Sequence, residues 1–350
     1  MIDVAIVGGG VAGSTTAMLL ARRGLSAVVL ERSTYQNLRI GETLPPIAQE
    51  ILTRLGVWER FLSDGHAPSF GTCAAWGSAT LEANDFIFNP YGHGWHVNRA
   101  RFDRMLAAAA TDAGAVIRED TRLMSHRRLA DGWELEIEHP GRPERLRARF
   151  LVDASGRTSC VARANGARRI SCDRLVGIAR LHDLRPGAAE QDSFTMVEAV
   201  SGGWWYSAFL PGRQLITVFL TDSDLRPAEP EIQAAHHTST RLGCCAGASQ
   251  PFVLSANSAC LSRSVGPAWL AVGDAACSFD PLSSQGIVNA MRYGMAAGHA
   301  IAEDAAGDKR ALAAYADEIE RSFARYLSIR QRYYRQESRW PQDPFWSRRH

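Results

Sequence analysis

The feature that most constrains this chain is the glycine turn Val7-Gly8-Gly9-Gly10-Val11-Ala12-Gly13-Ser14, which lies between an apolar run and a helical pattern. Val4-Ala5-Ile6-Val7 reads as a buried strand, and Ala17, Leu20 and Ala21 continue along one face of a helix. A strand that passes through Gly-x-Gly-x-x-Gly into a helix is the geometry of a pyrophosphate site. Gly8 permits the turn, Gly10 lets a phosphate reach the backbone, and Gly13 lets helix and strand pack closely. A second apolar strand, Ala27-Val28-Val29-Leu30, ends on Glu31, whose carboxylate suits both ribose hydroxyls of an adenosine and repels a 2′-phosphate. FAD or NAD is therefore favoured over NADP.

A distant segment separates those two. Trp269-Leu270-Ala271-Val272 reads as a strand closed by Gly273-Asp274, and a helical pattern opens near Gly286 with Ile287, Ala290, Met291, Tyr293 and Gly294. Asp274 suits ribityl or phosphate-linked hydroxyls, while free N–H groups at a helix start suit the electron-rich edge of an isoalloxazine. A simple dehydrogenase has no use for this second element, so the expected cofactor is FAD.

These motifs, together with Gly41-Glu42-Thr43-Leu44-Pro45-Pro46, Val97-Asn98-Arg99 leading to Phe102-Asp103, and Val152-Asp153-Ala154-Ser155-Gly156-Arg157, give the chain a family likeness over nearly its whole length. It resembles the flavoprotein monooxygenases of the p-hydroxybenzoate hydroxylase fold, in the branch that holds the flavin-dependent halogenases. The resemblance implies flavin contacts at Arg99, Asp274 and Gly286. With the turn residues, the expected cofactor contacts are Gly8, Gly10, Val11, Ala12, Gly13, Glu31, Arg32, Arg39, Gly41, Glu42, Thr43, Arg99, Asp274, Pro281, Ser284, Gly286 and Ile287. A narrower likeness rests on Gly203-Trp204-Trp205-Tyr206-Ser207-Ala208, Phe279 to Ile287, Arg339-Trp340-Pro341 and Phe345-Trp346. It is to the flavoproteins that help to mature tryptophylquinone cofactors in partner amine and amino-acid oxidases, and it implies hydroxylation of a protein-bound tryptophan.

Halogenases of this branch resemble the chain but carry a catalytic lysine after the Gly-Glu-x-x-x-Pro motif, whereas the only lysine here is Lys309, in the C-terminal region. Arginine is a poor substitute, because it is planar and stays protonated. Halogenation is thus disfavoured.

Thirty-nine basic and 37 acidic side chains nearly cancel, so no overall field draws the chain to nucleic acid. No apolar run reaches the length of a membrane span, and the opening apolar stretch belongs to the cofactor strand rather than to a signal peptide, so a cytoplasmic location is expected. The seven cysteines form no C-x-x-C pair, and Cys244-Cys245 reads as an ordinary thiol pair. His236-His237 has no metal-ligand spacing, and no metal is expected.

The expected fold is α/β: a Rossmann-like FAD-binding domain interleaved with a β-sheet substrate domain, followed by a C-terminal helix. Residues 1–70, 96–165 and 260–305 should build the first, residues 71–95 and 166–259 the second, and residues 306–350 the helix and tail. Strands are expected at Thr195–Ala199, Trp204–Leu210 and Gln214–Leu220. A helix from about Lys309 to Gln336 should present Leu312, Tyr315, Ile319, Phe323, Tyr326 and Ile329 as one apolar face. Pro341 and Pro344 predict an extended strap at the end, whose Arg and aromatic residues either grip a partner or fold back on the body.

The chemistry implied is aromatic hydroxylation through a flavin C4a-hydroperoxide, with the protein shielding and aiming the cofactor. Glu42 is the candidate proton donor, or a brace for the backbone. Trp204 and Tyr206 share one face of their strand and are the candidate substrate contacts, or core, with Trp205 on the opposite face. His66, His93 and His96 are candidate acid–base groups, or packed structural residues, and His66 is the one assigned to the substrate site. The partners implied are an oxidase precursor as substrate and NAD(P)H or a flavin reductase as electron source, since no second dinucleotide fingerprint is present. Two alternatives stand beside this reading: hydroxylation or halogenation of a free aromatic metabolite, and a flavin-binding maturation chaperone without turnover.

Overall fold

Asp3 is the only polar side chain in the first strand, Ile2–Val7, so the strand can be covered on both faces and sits inside a parallel sheet. A computed structural model describes residues 1–36, 39–188 and 192–350. The strand pairs in parallel with Ala27–Leu30 on one side and with Arg142–Asp153 on the other. Val116–Arg118 and Trp269–Ala271 extend the sheet in parallel at either side. Trp269–Ala271 therefore joins the sheet far from its place in the chain. An antiparallel hairpin, Arg122–Leu129 and Gly132–His139, continues from the first half of Arg142–Asp153.

What brings the two cofactor motifs together is close packing between the helices Val11–Arg22 and Gly286–Ala305. A Cβ on Gly294 would stand 2.8 Å from Thr15 Cβ and 2.9 Å from the Ala12 carbonyl, and one on Gly298 would stand 2.6 Å from Leu19 Cβ. Gly273 is held in the same way against Ala12, at 2.7 Å. The later helix needs glycine here because its backbone lies almost on the first helix, and the two run side by side in the same direction.

The second large sheet runs in the order Cys245–Ala248, Leu175–Leu184, Gln214–Asp222, Gly203–Leu210, Phe194–Val200, Gly71–Ala75, Glu82–Asp85, with Phe252–Ser255 also paired to Leu175–Leu184. The three strands expected around residues 195–220 are present as an antiparallel meander. Two small sheets link the halves: Thr43–Leu44 with Gly94–His96 and Ala67–Ser69, and Arg169–Ser171 with Ala259–Leu261 and Cys277–Ser278.

The helix Ala311–Gln336 packs on the cofactor side, burying Tyr315, Ile319, Phe323 and Tyr326, and Tyr315 donates a hydrogen bond to the Ala271 carbonyl at 2.8 Å. Ile329, expected on the buried face, is 43% exposed. The buried stripe instead passes through Arg330 to Tyr334, because the second sheet lies to that side. The tail also departs from the expected strap. Asp343 caps a short helix, Pro344–Ser347, and Pro344 favours its first turn. Phe345 and Trp346 are fully buried, with Trp346 donating to the Val200 carbonyl at 2.9 Å, so the tail folds back on the body.

Candidate active site

Where the two halves meet, a cavity of about 330 Å³ is lined by Gly10, Val11 and Ala12 from the glycine turn, and by Asp274, Pro281, Ser284, Gly286 and Ile287 from the distal segment. Gly41, Glu42, Thr43 and Arg99 form a side wall. Tyr206, Val218, Leu220 and Leu254 from the second sheet close it opposite. The two motifs that are far apart in sequence thus face one space.

Both helix N-termini at this cavity lack a side-chain cap and an acidic residue in the first turn, so their backbone N–H groups and positive dipole ends remain free for an electronegative ligand. Space is kept for one. A Cβ on Gly10 would meet only Arg39 Nη1, at 3.5 Å, and one on Gly286 would meet nothing within 4 Å. Gly8 and Gly13 serve packing instead: a Cβ on Gly8, at φ +107°, would strike the Ala154 carbonyl, and one on Gly13 would strike the Gly8 carbonyl.

Glu31, at the end of its strand, lies outside the cavity lining. Its Oε2 accepts from the Gly9 N–H at 2.7 Å, and its Oε1 accepts from Ser33 and from Arg39 Nη2 at 3.1 Å, so the carboxylate braces the turn. Arg39 also pairs with Asp103 and flanks Gly10. Arg32 is exposed and contributes nothing to the lining. Arg99 donates to the carbonyls of Ile40 at 2.7 Å and Gly41 at 3.2 Å and is held by Asp103, which fixes the loop carrying Glu42. Asp274 pairs with Arg157 at 3.5 Å across the cavity floor.

Glu42 is 3% exposed. Its Oε2 accepts from the Gly41 N–H at 3.1 Å, while its Oε1 has no partner. Burial pushes the carboxyl up to about 7, against the opposing pull of Arg99. A carboxyl with one free oxygen, poised near neutrality beside a cavity, has the properties of a proton donor.

The strand Gly203–Leu210 divides its aromatics between faces as alternation requires, with Trp205 packing on Phe219 on the far side. Tyr206 lines the cavity and hydrogen-bonds Thr43 Oγ1 at 2.8 Å. Trp204, on the same face, is corrected from substrate contact to core: it is fully buried against Trp76, and its indole N–H donates to Tyr334 Oη at 3.1 Å. The folded tail covers it. His66 is likewise corrected. It packs against Phe61 and Phe102 away from the cavity, and burial holds its imidazole down to about 4. His93 packs on Phe70 and Trp95.

Sequence reasoning missed Ile40, Gln285 and the apolar wall of Val218, Leu220 and Leu254. Gln214–Asp222 is buried along almost its whole length, so no alternation marked which side faced a ligand. Arg157 carried a signal, as the end of the Asp153-Ala154-Ser155-Gly156-Arg157 motif.

Two uncapped helix starts, glycine-made clearance and a buried acid facing one cleft fit a dinucleotide cofactor. Fold and cavity define an FAD-dependent oxidoreductase with the architecture of the halogenase-like flavoprotein monooxygenases. The chain belongs to the FAD binding domain family, whose sequence pattern matches residues 1–328. It is 30% identical over 361 residues to the putative FAD-dependent oxidoreductase LodB of Marinomonas mediterranea, with 99% of this chain and 96% of that protein aligned. The structure of the myxobacterial chondrochloren halogenase CndH matches with a TM-score of 0.86 at 24% identity, covering 99% of this chain and 85% of that one. The peptidyl tryptophan dihydroxylase QhpG, described as essential for tryptophylquinone cofactor biogenesis, matches with a TM-score of 0.79 at 24% identity, covering 99% and 78%. No helix among the described residues is long and apolar enough to cross a membrane.

Proposed function

We propose that the protein hydroxylates an aromatic ring, that of a tryptophan within a partner polypeptide, during maturation of a tryptophylquinone cofactor. The observation that carries this reading is the cavity wall: apolar Val218, Leu220 and Leu254 with the Tyr206 hydroxyl and the buried Glu42 carboxyl, and no lysine in the lining. Lys309 lies elsewhere, at the junction of the last two long helices, with its Nζ donating to the Asp304 carbonyl at 3.0 Å. The relay that halogenation needs therefore has no residue to perform it here, and the fold likeness to a peptidyl tryptophan dihydroxylase supports hydroxylation.

FAD, when bound and reduced, supplies the oxygen chemistry, with electrons from NAD(P)H or from a flavin reductase. The chain supplies the setting. Gly10, Val11 and Ala12 would hold the pyrophosphate, Arg99, Arg157 and Asp274 the middle of the cofactor, and Gly286 and Ile287 its ring end. Glu42 holds a proton at a carboxyl whose second oxygen is unengaged, while the apolar wall excludes water and receives the flat face of the substrate ring.

The test is co-expression with a quinone-oxidase precursor, followed by mass spectrometry of its tryptophan-containing peptides. A gain of one or two oxygens on a tryptophan, lost when Glu42→Gln replaces the wild-type enzyme, is the expected result. An unmodified precursor together with a hydroxylated or halogenated free aromatic metabolite would overturn the reading.

A further inference from the structure

Cys260 and Cys277 are direct register partners in the small sheet of Arg169–Ser171, Ala259–Leu261 and Cys277–Ser278, and both thiols are free. The hydrogen bonds of the ladder decide how closely they face each other. The Leu261 N–H donates to the Ala276 carbonyl at 2.9 Å, one step along the ladder from the cysteines. Antiparallel pairs alternate, so Cys260 and Cys277 occupy a non-hydrogen-bonded position. There, opposite Cα atoms stand about 4.5 Å apart and both side chains leave the sheet on one face. A disulfide spans Cα separations of roughly 4.4–6.8 Å, so these strands can accept one without moving apart or sliding.

The two thiols are unequal. Cys277 is fully buried, while Cys260 is partly exposed and is the one that a small solute can reach. The facing Cys277 thiol, the Leu261 backbone and the Arg169 guanidinium favour the Cys260 thiolate, and burial opposes it. The pair also adjoins the cofactor cavity. Ser278, next to Cys277, accepts from Arg169 Nη2 at 2.6 Å and from Arg157 Nη1 at 3.2 Å. Arg169 Nη1 donates to the Asp274 carbonyl at 3.0 Å, and Arg157 pairs with the Asp274 carboxylate. Neither thiol lines the cavity, so the chemistry proposed above leaves both unused.

We propose that Cys260 and Cys277 are an oxidative modification site that closes to a cross-strand disulfide when it meets hydrogen peroxide. Peroxide is the product of flavin–oxygen chemistry when no substrate takes the oxygen, so the oxidant arises close to the pair. The Cys260 thiolate attacks one peroxide oxygen, the O–O bond breaks, and the departing hydroxide takes up the thiol proton to leave as water. Cys260 is then a sulfenic acid. The Cys277 sulfur attacks the Cys260 sulfur, the S–O bond breaks, and a second water leaves with the Cys277 proton. Two thiols lose two electrons, and one peroxide becomes two waters. The bridge fixes Cys277 and, through Ser278, the two arginines that hold Asp274.

Peptide mapping tests the site. FAD-loaded protein treated with a small excess of hydrogen peroxide, unfolded in iodoacetamide and digested without reductant should yield the Cys260 and Cys277 peptides joined, lighter by two hydrogens than the separate pair. Dithiothreitol before alkylation should separate them. Oxidation of the exposed Cys160 and Cys172 ahead of the pair, or Cys260 carried to sulfinic acid beside an alkylated Cys277, would overturn the proposal. In Cys277→Ser the reaction should stop at the sulfenic acid, and a cyclic diketone should label Cys260. An unlabelled Cys260 there would place the first attack elsewhere and overturn the assigned order. The linked wild type should melt at a higher temperature than its reduced form and than peroxide-treated Cys260→Ser, because the bond closes a loop without straining the native sheet. A lower melting temperature would show that the strands do not accept the bond. These measurements read the thiols alone, so an unmodified oxidase precursor would remove the protein-tryptophan reading and leave this site standing.

Discussion

Tyr334 Oη donates to Asp280 Oδ2 at 2.8 Å and accepts from the Trp204 indole N–H, so a single hydroxyl ties the C-terminal helix to the cofactor segment and to the second sheet. Asp280 also accepts from Arg330 Nε at 3.0 Å, and its backbone N–H donates to Tyr326 Oη at 2.7 Å. The C-terminal helix is therefore a clamp on the segment running from Asp280 to Gly286.

Tyr334→Phe leaves the Trp204 N–H without an acceptor and removes one donor from a fully buried carboxylate. A loss of about 1–3 kcal/mol in unfolding free energy is expected from the unpaired buried groups. Denaturant unfolding of Tyr334→Phe, Trp204→Phe and the double variant should show a double substitution milder than the sum of the singles. Strict additivity would mean that the 3.1 Å contact carries no coupling.

Gly10 and Gly13 should respond oppositely to a side chain. Gly13→Ala drives a methyl into the Gly8 carbonyl and should destabilise the protein by about 1–3 kcal/mol whether or not FAD is present. Gly10→Val has clearance and an ordinary φ of −70°, so the apoprotein should melt near the wild-type temperature but fail to retain flavin. Melting curves and flavin content of the two purified variants check this.

Glu42 should make stability fall as pH rises. Its carboxyl has a value of about 7 in the fold against an ordinary 4.5, so between those values the native state holds a proton that the unfolded chain has released. Stability from this group is complete below about pH 4.5 and is lost by pH 7, by an amount on the order of 3 kcal/mol. Glu42→Gln should flatten that slope in urea titrations across the same range. Wild-type turnover should decline above neutrality if the carboxyl delivers its proton during the reaction.

Lys309→Ala should leave oxygen-dependent turnover unchanged, because the ammonium binds the Asp304 carbonyl and carboxylate at an exposed helix junction away from the cavity. Added bromide should give no brominated product with either protein. A halogenated product lost in the variant would reinstate the lysine-dependent chemistry.

Much of the fold and part of the site were legible in the sequence, because they depend on short-range constraints. The turn at Gly8, Gly10 and Gly13, the buried strands on either side and the helix opening at Gly286 each follow from local sterics and from apolar runs that only a covered sheet can use. Glu42 was identifiable as the one acid in a turn shared with Gly41 and Pro45. What no local pattern carried was which side chain would reach the cavity. Trp204 and Tyr206 are equivalent by alternation, yet the folded tail, through Trp346 and Tyr334, covers the first and leaves the second facing the cofactor side. The contact of Tyr206 with Thr43, and of Thr43 with Thr195 and His96, likewise joins residues of separate strands that meet only when the small sheet closes on the large one. The cofactor class and the elements that hold it follow from contiguous residues, because they reside in local backbone conformation. How acidic Glu42 is, and which aromatic residue faces the cavity, came only with the folded chain, because burial and hydrogen-bond partners are properties of residues brought together from distant segments.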